Sequence, residues 1–190
     1  MNITTPKGFC YEEVDSTMDE AKRLVQAGKI TDIGFVVANS QTQGRGTRGR
    51  KWSSPSNFGI YLSVIHLPKE KEYFKTTTIY TQAAGIACVE AIKEICEIQT
   101  QLKPINDIYF KNKKLGGILV ESTLHKEGIS SLITGVGINT QKVRRDLDRN
   151  IVEPVSLEEI LPSEQFQKFS KQKLIEEIVS KICFWYEVAS

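Results

Sequence analysis

The sequence has few of the side chains from which metal centres and disulfide frameworks are built. Its 190 residues include 4 cysteines and 2 histidines, and no two cysteines form a C-x-x-C pair. Because a zinc site needs clustered cysteine or histidine ligands, neither a zinc site nor a disulfide framework is indicated. His66 and His125 stand alone and are not expected to bind a metal or act as general bases. We expect reduced core thiols at Cys10, Cys88, Cys96 and Cys183.

Long apolar runs are also missing. No segment approaches the ~18 consecutive apolar residues of a membrane-spanning helix, and the N-terminus has no apolar signal core. We therefore expect a cytoplasmic protein without a membrane partner.

Charge of one sign is not in large excess. The 25 basic and 23 acidic side chains leave a formal net charge of +2, without the strong positive field of a dedicated nucleic-acid-binding protein. The composition, 40% hydrophobic and 25% charged, is that of an ordinary globular chain long enough for a sizeable core. We predict one domain that spans residues 1–190.

The common nucleotide-binding fingerprints are absent. The sequence contains no G-x-x-x-x-G-K-[ST] phosphate loop, and no G-x-G-x-x-G motif opens a helix within a predicted βαβ unit. A nucleotide, if one is bound, is held in another way.

The most distinctive segment is residues 44 to 51, Gly-Arg-Gly-Thr-Arg-Gly-Arg-Lys, which Trp52 follows. Glycine permits positive φ and leaves amide groups open to a ligand, while arginine presents a planar fork that matches phosphate or carboxylate. The segment therefore indicates an anion-binding loop. Taken alone, it leaves open a solvated basic loop, a site for a small phosphorylated ligand and a site for single-stranded nucleic acid.

Apolar periodicity and turn residues predict a mixed α and β chain without internal repeats. A helix is expected over 17–27, with Thr17-x-x-Glu20 as its capping box. Strands at 33–38 and 58–66 bracket the basic segment, which is therefore predicted to be a loop between two strands. The other predicted elements are a core helix over 76–97, extended segments near 98–103, 107–110, 114–124 and 129–138, tight turns at 111–113 and 126–128, a mobile polar stretch over 140–155, and helices near 156–161 and 170–187.

Three further groups of residues are compatible with a ligand site. Asn106 and Asp107 follow a strand, where they fit nucleotide or Mg²⁺ contacts but equally an Asx-rich turn. The run 114–121 opens with a lysine and carries two glycines, which fits either close approach of a ligand to the backbone or a β-bulge. The run 135–139, Gly-Val-Gly-Ile-Asn, again leaves room beside a strand.

The order and spacing of these motifs resemble those of the biotin protein ligases, which are related in fold to lipoate ligases and to class II aminoacyl-tRNA synthetases. The resemblance covers about residues 9–188 and implies an α+β fold, with helices packed on a mixed, largely antiparallel sheet of the class II synthetase type. The motifs that carry it are Asp15-Ser16-Thr17, Gln41, the basic run through Trp52, Asn106-Asp107, 114–121 and 135–139.

The resemblance implies an enzyme, a biotin–[biotin carboxyl carrier protein] ligase. Biotin and Mg-ATP would give biotinyl-5′-AMP and pyrophosphate, and the acyl group would then pass to a lysine of the carrier protein, an acetyl-CoA carboxylase subunit. The residues agree with this chemistry, because a site that joins a carboxylate to an α-phosphate must neutralise two anions. The alternatives are a lipoate or octanoate ligase or transferase of the same fold, and a noncatalytic module that binds biotin or the carrier.

The expected site residues follow from the resemblance, position by position. Lys114 is expected to bridge the biotin carboxylate and the α-phosphate and, with Arg45, to be catalytic, while Asp107 is the expected Mg²⁺ contact. Biotin contacts are expected from Ser16, Thr17, Met18, Gln41, Gly44, Arg45, Gly46, Thr47, Lys114, Gly117 and Gly137. ATP or adenylate contacts are expected from Arg45, Thr47, Arg48, Arg50, Lys51, Trp52, Asn106, Asp107, Lys114 and Asn139.

The chain also departs from the family pattern. Thr47 stands where a second arginine is usual, which predicts a looser grip on biotinyl-AMP. The usual Lys-Trp-Pro-Asn-Asp is replaced by Lys-Pro-Ile-Asn-Asp at 103–107, so the packing around the Asn-Asp pair is expected to differ. No helix-turn-helix domain fits before Phe9, so DNA binding is not expected. No full SH3-like domain follows the last predicted helix, which leaves open a minimal catalytic domain and a truncated chain. Exposed sheet edges often pair in this family, which makes a homodimer compatible with the sequence.

Overall fold

The computed structural model describes residues 5–68, 77–125, 128–142 and 152–189. The strands within these ranges are β1 (Lys7–Val14), β2 (Ile33–Gln41), β3 (Gly59–His66), β4 (Gln101–Lys103), β5 (Asp107–Phe110), β6 (Lys113–His125) and β7 (Gly128–Asn139). The helices are α1 (Thr17–Gln26), α2 (Thr77–Cys96), α3 (Leu157–Ile160), α4 (Ser163–Lys168) and α5 (Lys171–Ala189). A 3₁₀ turn at Thr47–Gly49 lies in the connection from β2 to β3.

The strands form a seven-stranded sheet in the order β1-β2-β3-β7-β6-β5-β4. β1 pairs parallel with β2, and the other neighbours pair antiparallel. The expected mixed, largely antiparallel sheet with packed helices is therefore confirmed. The tight turn expected at 111–113 is also present: it joins β5 to β6, and Lys111 adopts the left-handed region there at φ 54°.

Alternation along the strands divides their side chains between two layers. In β3, Leu62 and Val64 join the main apolar core beneath α2 and α5. Ser63 and Ile65 point the other way, where Ser63 donates a hydrogen bond to Thr17 of α1 at 2.8 Å. The start of α1 therefore lies against the sheet on the face that α2 and α5 leave uncovered.

The expected helix cap is wrong by one residue. Ser16 is the N-cap of α1, and its hydroxyl accepts a hydrogen bond from the Met18 amide at 3.3 Å. Glu20 does not close a capping box, because its carboxylate is bonded to Arg23 at 2.7 Å. The Thr17 side chain is thereby free of a capping role and faces the sheet.

Two elements, β1 and α4, have no counterpart among the expected ones. β1 is an edge strand with mostly exposed side chains, so it lacks the apolar alternation by which strands are recognised. Cys10 lies on it and is exposed, so the expectation of a core thiol is wrong there. Cys88 and Cys96 are buried as expected, and burial raises the pKa of the Cys88 thiol to about 12.

Three of the expected elements fall partly outside the described residues: the core helix at its first residue, 76, the turn at 126–128 and the polar stretch at 140–155. Within the described ranges, no helix combines the length and the apolar character that crossing a membrane requires. The same ranges contain no group of three histidine, cysteine, aspartate or glutamate side chains arranged to hold a metal ion.

Candidate active site

A cavity of about 510 Å³ lies between the start of α1, the loop from β2 to β3, and the adjoining parts of β5, β6 and β7. This volume is in the range of sites for small ligands. Ser16, Gly44 and Arg48 are the expected contacts that do not line it. The expected contacts that do line it are Thr17, Met18, Gln41, Arg45, Gly46, Thr47, Arg50, Lys51, Trp52, Asn106, Asp107, Lys114, Gly117, Gly137 and Asn139.

A network of neutral polar groups occupies the end of the cavity next to α1. The side-chain oxygen of Gln41 accepts hydrogen bonds from the Thr17 amide at 2.9 Å and the Thr17 hydroxyl at 3.1 Å. The side-chain nitrogen of Gln41 donates to Ser54 at 2.8 Å. Thr17 and Ser54 are both buried. This end of the cavity therefore offers fixed donors and acceptors, as the recognition of a neutral polar ring requires.

Glycines form the floor of the central part of the cavity. Gly117 of β6 and Gly137 of β7 are directly paired, and a Cβ at Gly137 would lie 2.5 Å from the indole of Trp52. At Gly135 the room is taken by Met18, whose sulfur lies 2.8 Å from the position of a Cβ. The glycines therefore let neighbouring side chains approach the strand backbone closely. The register shift between β5 and β6, between Ile108 and Tyr109, lies beside them.

Trp52 brings an unpaired donor to this floor. Its indole nitrogen is buried and has no hydrogen-bond partner among the described residues. Its ring also lies 5.7 Å from the ammonium of Lys114. An indole that lies over glycine backbone, next to a cation, gives the cavity one flat apolar wall.

Lys114 is the cation at the centre of the cavity. Its ammonium lies 2.7 Å from a carboxylate oxygen of Asp107. Its backbone is fixed from the other side, because its amide donates to Glu153 and its carbonyl accepts from Val155, both at 2.9 Å. Asn139 donates to the carbonyls of Lys114 at 3.3 Å and Val155 at 3.0 Å. Asn139 therefore holds the strand that carries Lys114, besides lining the cavity.

Asn106 has a similar dual position. Its side-chain nitrogen donates to the Ile118 carbonyl at 3.1 Å, and the Ile118 amide donates to the Asn106 carbonyl at 2.8 Å. These bonds tie the turn after β4 to β6. They fix Asp107, the next residue, beside Lys114 even though the family's usual tryptophan is absent.

Arg45 is the most fully bonded cation of the basic loop. Its guanidinium donates to Asp19 of α1 at 2.5 and 2.9 Å and to Glu121 of β6 at 3.1 and 3.2 Å. Lys22 also lies 2.6 Å from Glu121. Burial raises the pKa of Glu121, but hydrogen bonds from Arg45 and Lys22 outweigh burial and lower it overall. The Asp19 hydrogen bond is the main reason why the pKa of Arg45 lies above its ordinary value.

The basic loop folds as a small hairpin. The backbones of Arg45 and Lys51 form an antiparallel β-bridge, and the Trp52 amide donates to the Gly44 carbonyl at 2.9 Å. At the tip, Arg48 adopts a left-handed conformation at φ 58° and is exposed. A Cβ at Gly44 would lie 2.6 Å from the Trp52 carbonyl oxygen, so this glycine allows the two arms to close. Gly44 and Arg48 therefore shape the loop without lining the cavity.

Thr47 and Arg50 interact within the hairpin. The Thr47 hydroxyl accepts a hydrogen bond from Arg50 at 3.3 Å, and its carbonyl accepts another at 3.4 Å. Both residues line the cavity. Thr47 therefore orients Arg50. It can do so because its uncharged hydroxyl accepts a hydrogen bond from the guanidinium.

Several residues of the site were not found from the sequence. Asp19 and Glu121 give no local signal, because Glu121 lies 76 residues from Arg45 along the chain. Of the others, Ile118, Leu119, Gly135 and Val136 lie within the runs 114–121 and 135–139 but were not named as contacts, and the remaining four belong to none of the named motifs. These lining residues are Ser53, Leu62, Ile118, Leu119, Gly135, Val136, Val152 and Pro154.

The arrangement combines a neutral polar end, a glycine floor and a cationic end. Such a cavity can hold an uncharged polar ring at one end and bring an attached carboxylate to Lys114. The cations beyond Lys114 can then neutralise a phosphate placed next to that carboxylate. Asp107 is the carboxylate available there for a metal that arrives with the phosphates, since Mg²⁺ commonly uses only one or two protein carboxylates.

Residues 11–139 match the model of the biotin/lipoate A/B protein ligase family. The bifunctional ligase/repressor BirA of Bacillus subtilis is 33% identical over 136 residues, which cover 72% of this chain and 41% of that protein. A biotin–[acetyl-CoA-carboxylase] ligase of Paracoccus denitrificans is 32% identical over 130 residues, which cover 66% of this chain and 51% of that protein. The chain thus spans about half or less of the length of these relatives.

Among solved structures, the biotin protein ligase of Aquifex aeolicus in complex with biotin and ATP matches with a TM-score of 0.69 and 32% identity. The match covers 95% of this chain and 72% of that chain. The likeness in three dimensions therefore extends past residue 139, where the family match ends.

Proposed function

The chain belongs to the biotin/lipoate A/B protein ligase family, and we propose that it activates biotin with ATP to biotinyl-5′-AMP and transfers the acyl group to a carrier-protein lysine. The family membership inferred from the motif order is confirmed. The observation that carries the proposed reaction is the position of Lys114, whose ammonium lies 2.7 Å from Asp107 and whose Cε lies 3.6 Å from the position of a Cβ at Gly117.

Thr17 and Gln41 fit the ureido ring of biotin. Their paired hydroxyl and amide groups can exchange hydrogen bonds with a ring that carries both N–H donors and a carbonyl acceptor. The hydrocarbon chain of biotin would then run over Gly117 and Gly137, beside Met18 and Trp52. Its carboxylate would reach Lys114.

The reaction at Lys114 joins two anions. A carboxylate oxygen attacks the α-phosphorus of ATP, the bond from that phosphorus to the bridging oxygen breaks, and pyrophosphate leaves with the bonding electrons. Lys114 is placed to neutralise both the carboxylate and the α-phosphate while they approach each other. Asp107 holds the ammonium in this position before substrates arrive.

Mg²⁺ fits this site through Asp107 and the nucleotide phosphates, and Asn106 would stand beside it. Bound there, the ion would neutralise phosphate charge. Asn139 supports the nucleotide side of the cavity indirectly, through its bonds to the Lys114 and Val155 carbonyls. We keep Asp107 as the proposed metal contact.

The basic loop supports the same reaction in two ways. Arg45 anchors the hairpin to Asp19 and Glu121. Its proposed catalytic contribution is therefore to hold the cavity wall in place and to contact the adenylate from that wall. Arg50 and Lys51 line the cavity and carry charge towards the nucleotide. Ser16, Gly44 and Arg48 would support the site indirectly, because they shape the start of α1 and the basic loop.

A carrier protein is the proposed partner in the second step. The name of the Paracoccus denitrificans relative identifies acetyl-CoA carboxylase as the protein on which that ligase acts. The same class of acceptor is proposed here. The acceptor lysine would enter through the mouth of the cavity and attack the mixed anhydride at its acyl carbon, which releases AMP.

Lipoate is the rival substrate within the family. Its dithiolane ring has no hydrogen-bonding groups, so it would cover this polar end of the cavity without forming a hydrogen bond to it, although Thr17, Gln41 and Ser54 stay bonded to one another. The polar end of the cavity therefore favours biotin. Isothermal titration with biotin and with lipoate tests this choice, and tighter binding of lipoate would reverse it.

Biotin-dependent exchange of pyrophosphate into ATP tests the proposed reaction. We expect exchange in the wild type and a loss of about 100-fold or more in Lys114→Ala. Lys113→Ala is the matched control, because the neighbouring ammonium is bonded to Glu153 at the surface instead. Biotin binding without exchange in the wild type would identify a binding module and reject the ligase.

A further inference from the structure

The polar end of the cavity depends on two buried serines that do not line it, Ser54 and Ser63. Ser63 is 0% exposed and donates a hydrogen bond to the Thr17 hydroxyl at 2.8 Å. Ser54 is 6% exposed. It accepts from the side-chain nitrogen of Gln41 at 2.8 Å and donates to the Trp52 carbonyl at 3.1 Å. Both serines therefore act on Thr17 and Gln41 from behind the cavity wall.

Donor and acceptor chemistry fixes the direction of each bond in this network. The Thr17 amide can only donate, so the Gln41 atom that lies 2.9 Å from it is the side-chain oxygen. The same oxygen takes the single proton of the Thr17 hydroxyl at 3.1 Å, so that hydroxyl must accept the bond from Ser63. At the other end, the Trp52 carbonyl can only accept, so Ser54 gives its proton there and accepts from Gln41. The network cannot be reversed without placing one donor against another.

The fixed directions decide which groups remain for a ligand. Within the described part of the chain, the Gln41 oxygen already accepts two bonds, whereas its side-chain nitrogen has used one of its two protons. The Thr17 hydroxyl oxygen has two lone pairs, and Ser63 occupies one of them. Thr17 and Gln41 both line the cavity. Its polar end therefore offers one donor, from Gln41, and one acceptor, from Thr17.

A cyclic urea is complementary to this pair of groups, because its carbonyl accepts a hydrogen bond and the adjacent N–H donates one. A guanidinium ring of the same shape is not complementary, since it carries donors and no acceptor. It would place an N–H against the N–H of Gln41 and leave both donors unpaired inside the cavity. The direction of the bonds therefore distinguishes two rings that size and shape do not.

We propose that Ser63 and Ser54 are positioning residues that fix this polarity and make the site select a neutral urea over a guanidinium. The inference rests on the proposed function, in which the urea is the ureido ring of biotin. Neither serine touches the ligand. Ser63 leaves Thr17 with a single lone pair for the ring, and Ser54 holds the Gln41 nitrogen with a single proton for it.

The test compares the affinities for biotin and for 2-iminobiotin, in which a nitrogen that is protonated at neutral pH replaces the ureido oxygen. Isothermal titration without ATP measures both. At neutral pH we expect the wild type to bind biotin at least about 100-fold more tightly than 2-iminobiotin. The affinity for 2-iminobiotin should rise with pH, because its neutral form has an imine nitrogen that accepts a hydrogen bond. The affinity for biotin should not follow the pH in this way.

Substitutions behind the wall should change the ratio of the two affinities. Ser63→Ala should narrow it about tenfold, because Thr17 regains a second lone pair that can accept from another N–H of the guanidinium. Ser63→Cys, whose thiol is a weak donor, should lie between Ser63→Ala and the wild type. Ser54→Ala should also narrow the ratio, since the Gln41 nitrogen is then no longer held. Gln41→Glu should invert the preference, because a carboxylate offers only acceptors.

Ser131→Ala is the matched control and should leave the ratio unchanged. Ser131 is another buried serine of the sheet, 5% exposed, and it does not line the cavity. The melting temperature of each variant shows whether it is folded.

An unchanged ratio in Ser63→Ala and Ser54→Ala would overturn the proposal. So would equal losses of affinity for both ligands together with lower melting temperatures, since the serines would then only support the fold. A wild type that binds biotin and 2-iminobiotin equally well would overturn it as well. Failure of the proposed function has a different result: a protein that distinguishes the two ligands but does not exchange pyrophosphate into ATP keeps the polarity and loses the ligase reaction.

Discussion

Glu121→Gln is expected to destabilise the fold through the basic hairpin. Glu121 accepts two hydrogen bonds from Arg45 and lies 2.6 Å from Lys22, and its side chain is 30% exposed. Glutamine is close to glutamate in size but removes the negative charge. Arg45 would keep Asp19, whereas Lys22 would retain only a 3.8 Å contact with that carboxylate.

The magnitude follows from the partial burial. Removal of one partner from a fully buried ion pair costs about 3–5 kcal/mol, and an exposed pair contributes about 0–1 kcal/mol. Glu121 lies between these limits, so we expect a loss of about 1–2 kcal/mol after discounting for solvent screening. For a chain of this size that corresponds to a fall in melting temperature of roughly 2–8 °C.

The pH dependence identifies the cause. The pKa of Glu121 in the folded protein lies below the ordinary value of 4.5, so its stabilising effect is fully present above that pH and disappears as the pH falls through the folded value. Urea unfolding of the wild type and of Glu121→Gln should therefore differ at pH 7 and converge in acid. A difference that is the same at both pH values would refute the electrostatic reasoning. Glu153→Gln, which removes an exposed ion pair with Lys113, should have no measurable effect at pH 7.

Three further predictions concern the walls of the cavity and the start of α1. Gly137→Ala should displace the Trp52 indole, because the new Cβ would lie 2.5 Å from it. Biotin affinity should then fall by about tenfold or more. In a Trp185→Phe background the emission of Trp52 should shift to the red, and unchanged emission would contradict the prediction. Thr47→Arg should slow the dissociation of biotinyl-AMP measured by stopped flow, because it adds a cation to the wall, and equal off-rates would reject this. Asp15, whose pKa the Arg23 hydrogen bond and then the Ser16 amide lower to about 2, should stabilise the protein above pH 3.8, and this contribution should disappear as the pH falls through about 2. An NMR titration of its carboxylate checks that value, and a midpoint near 3.8 would contradict it.

The central part of the site was predictable from sequence because it depends on backbone. Two glycine-containing strands and a lysine at a strand start fit close approach of a ligand, although the same glycines also fit a β-bulge. The register that pairs Gly117 with Gly137 then places Lys114 at the end of that floor. Local spacing singled out these runs, the family resemblance supplied the expected roles of their residues, and Lys114, Gly117 and Gly137 all line the cavity.

The partners of the loop cations were not predictable in the same way. Asp19 comes to Arg45 from a helix 26 residues earlier, and Glu121 from a strand 76 residues later. Both contacts depend on how α1 lies on the sheet and on the register of β6. The cap of α1 was misplaced for a related reason, since Ser16 and Thr17 are both suitable caps and only the direction of the chain leaving β1 selects Ser16.

The cations of the basic loop that line the cavity separate into two groups with different physical roles. Arg45 is neutralised by Asp19 and Glu121, so it contributes little net field to the cavity and acts mainly as an anchor between α1, the hairpin and β6. In the described ranges Arg50 and Lys51 have no acidic partners, and both line the cavity, so they give its outer end a positive field. A small carboxylic acid held between a neutral polar end and that field is oriented with its carboxylate outward, towards the phosphates. In the proposed function, the basic loop therefore sets the direction of the substrate besides meeting the phosphates.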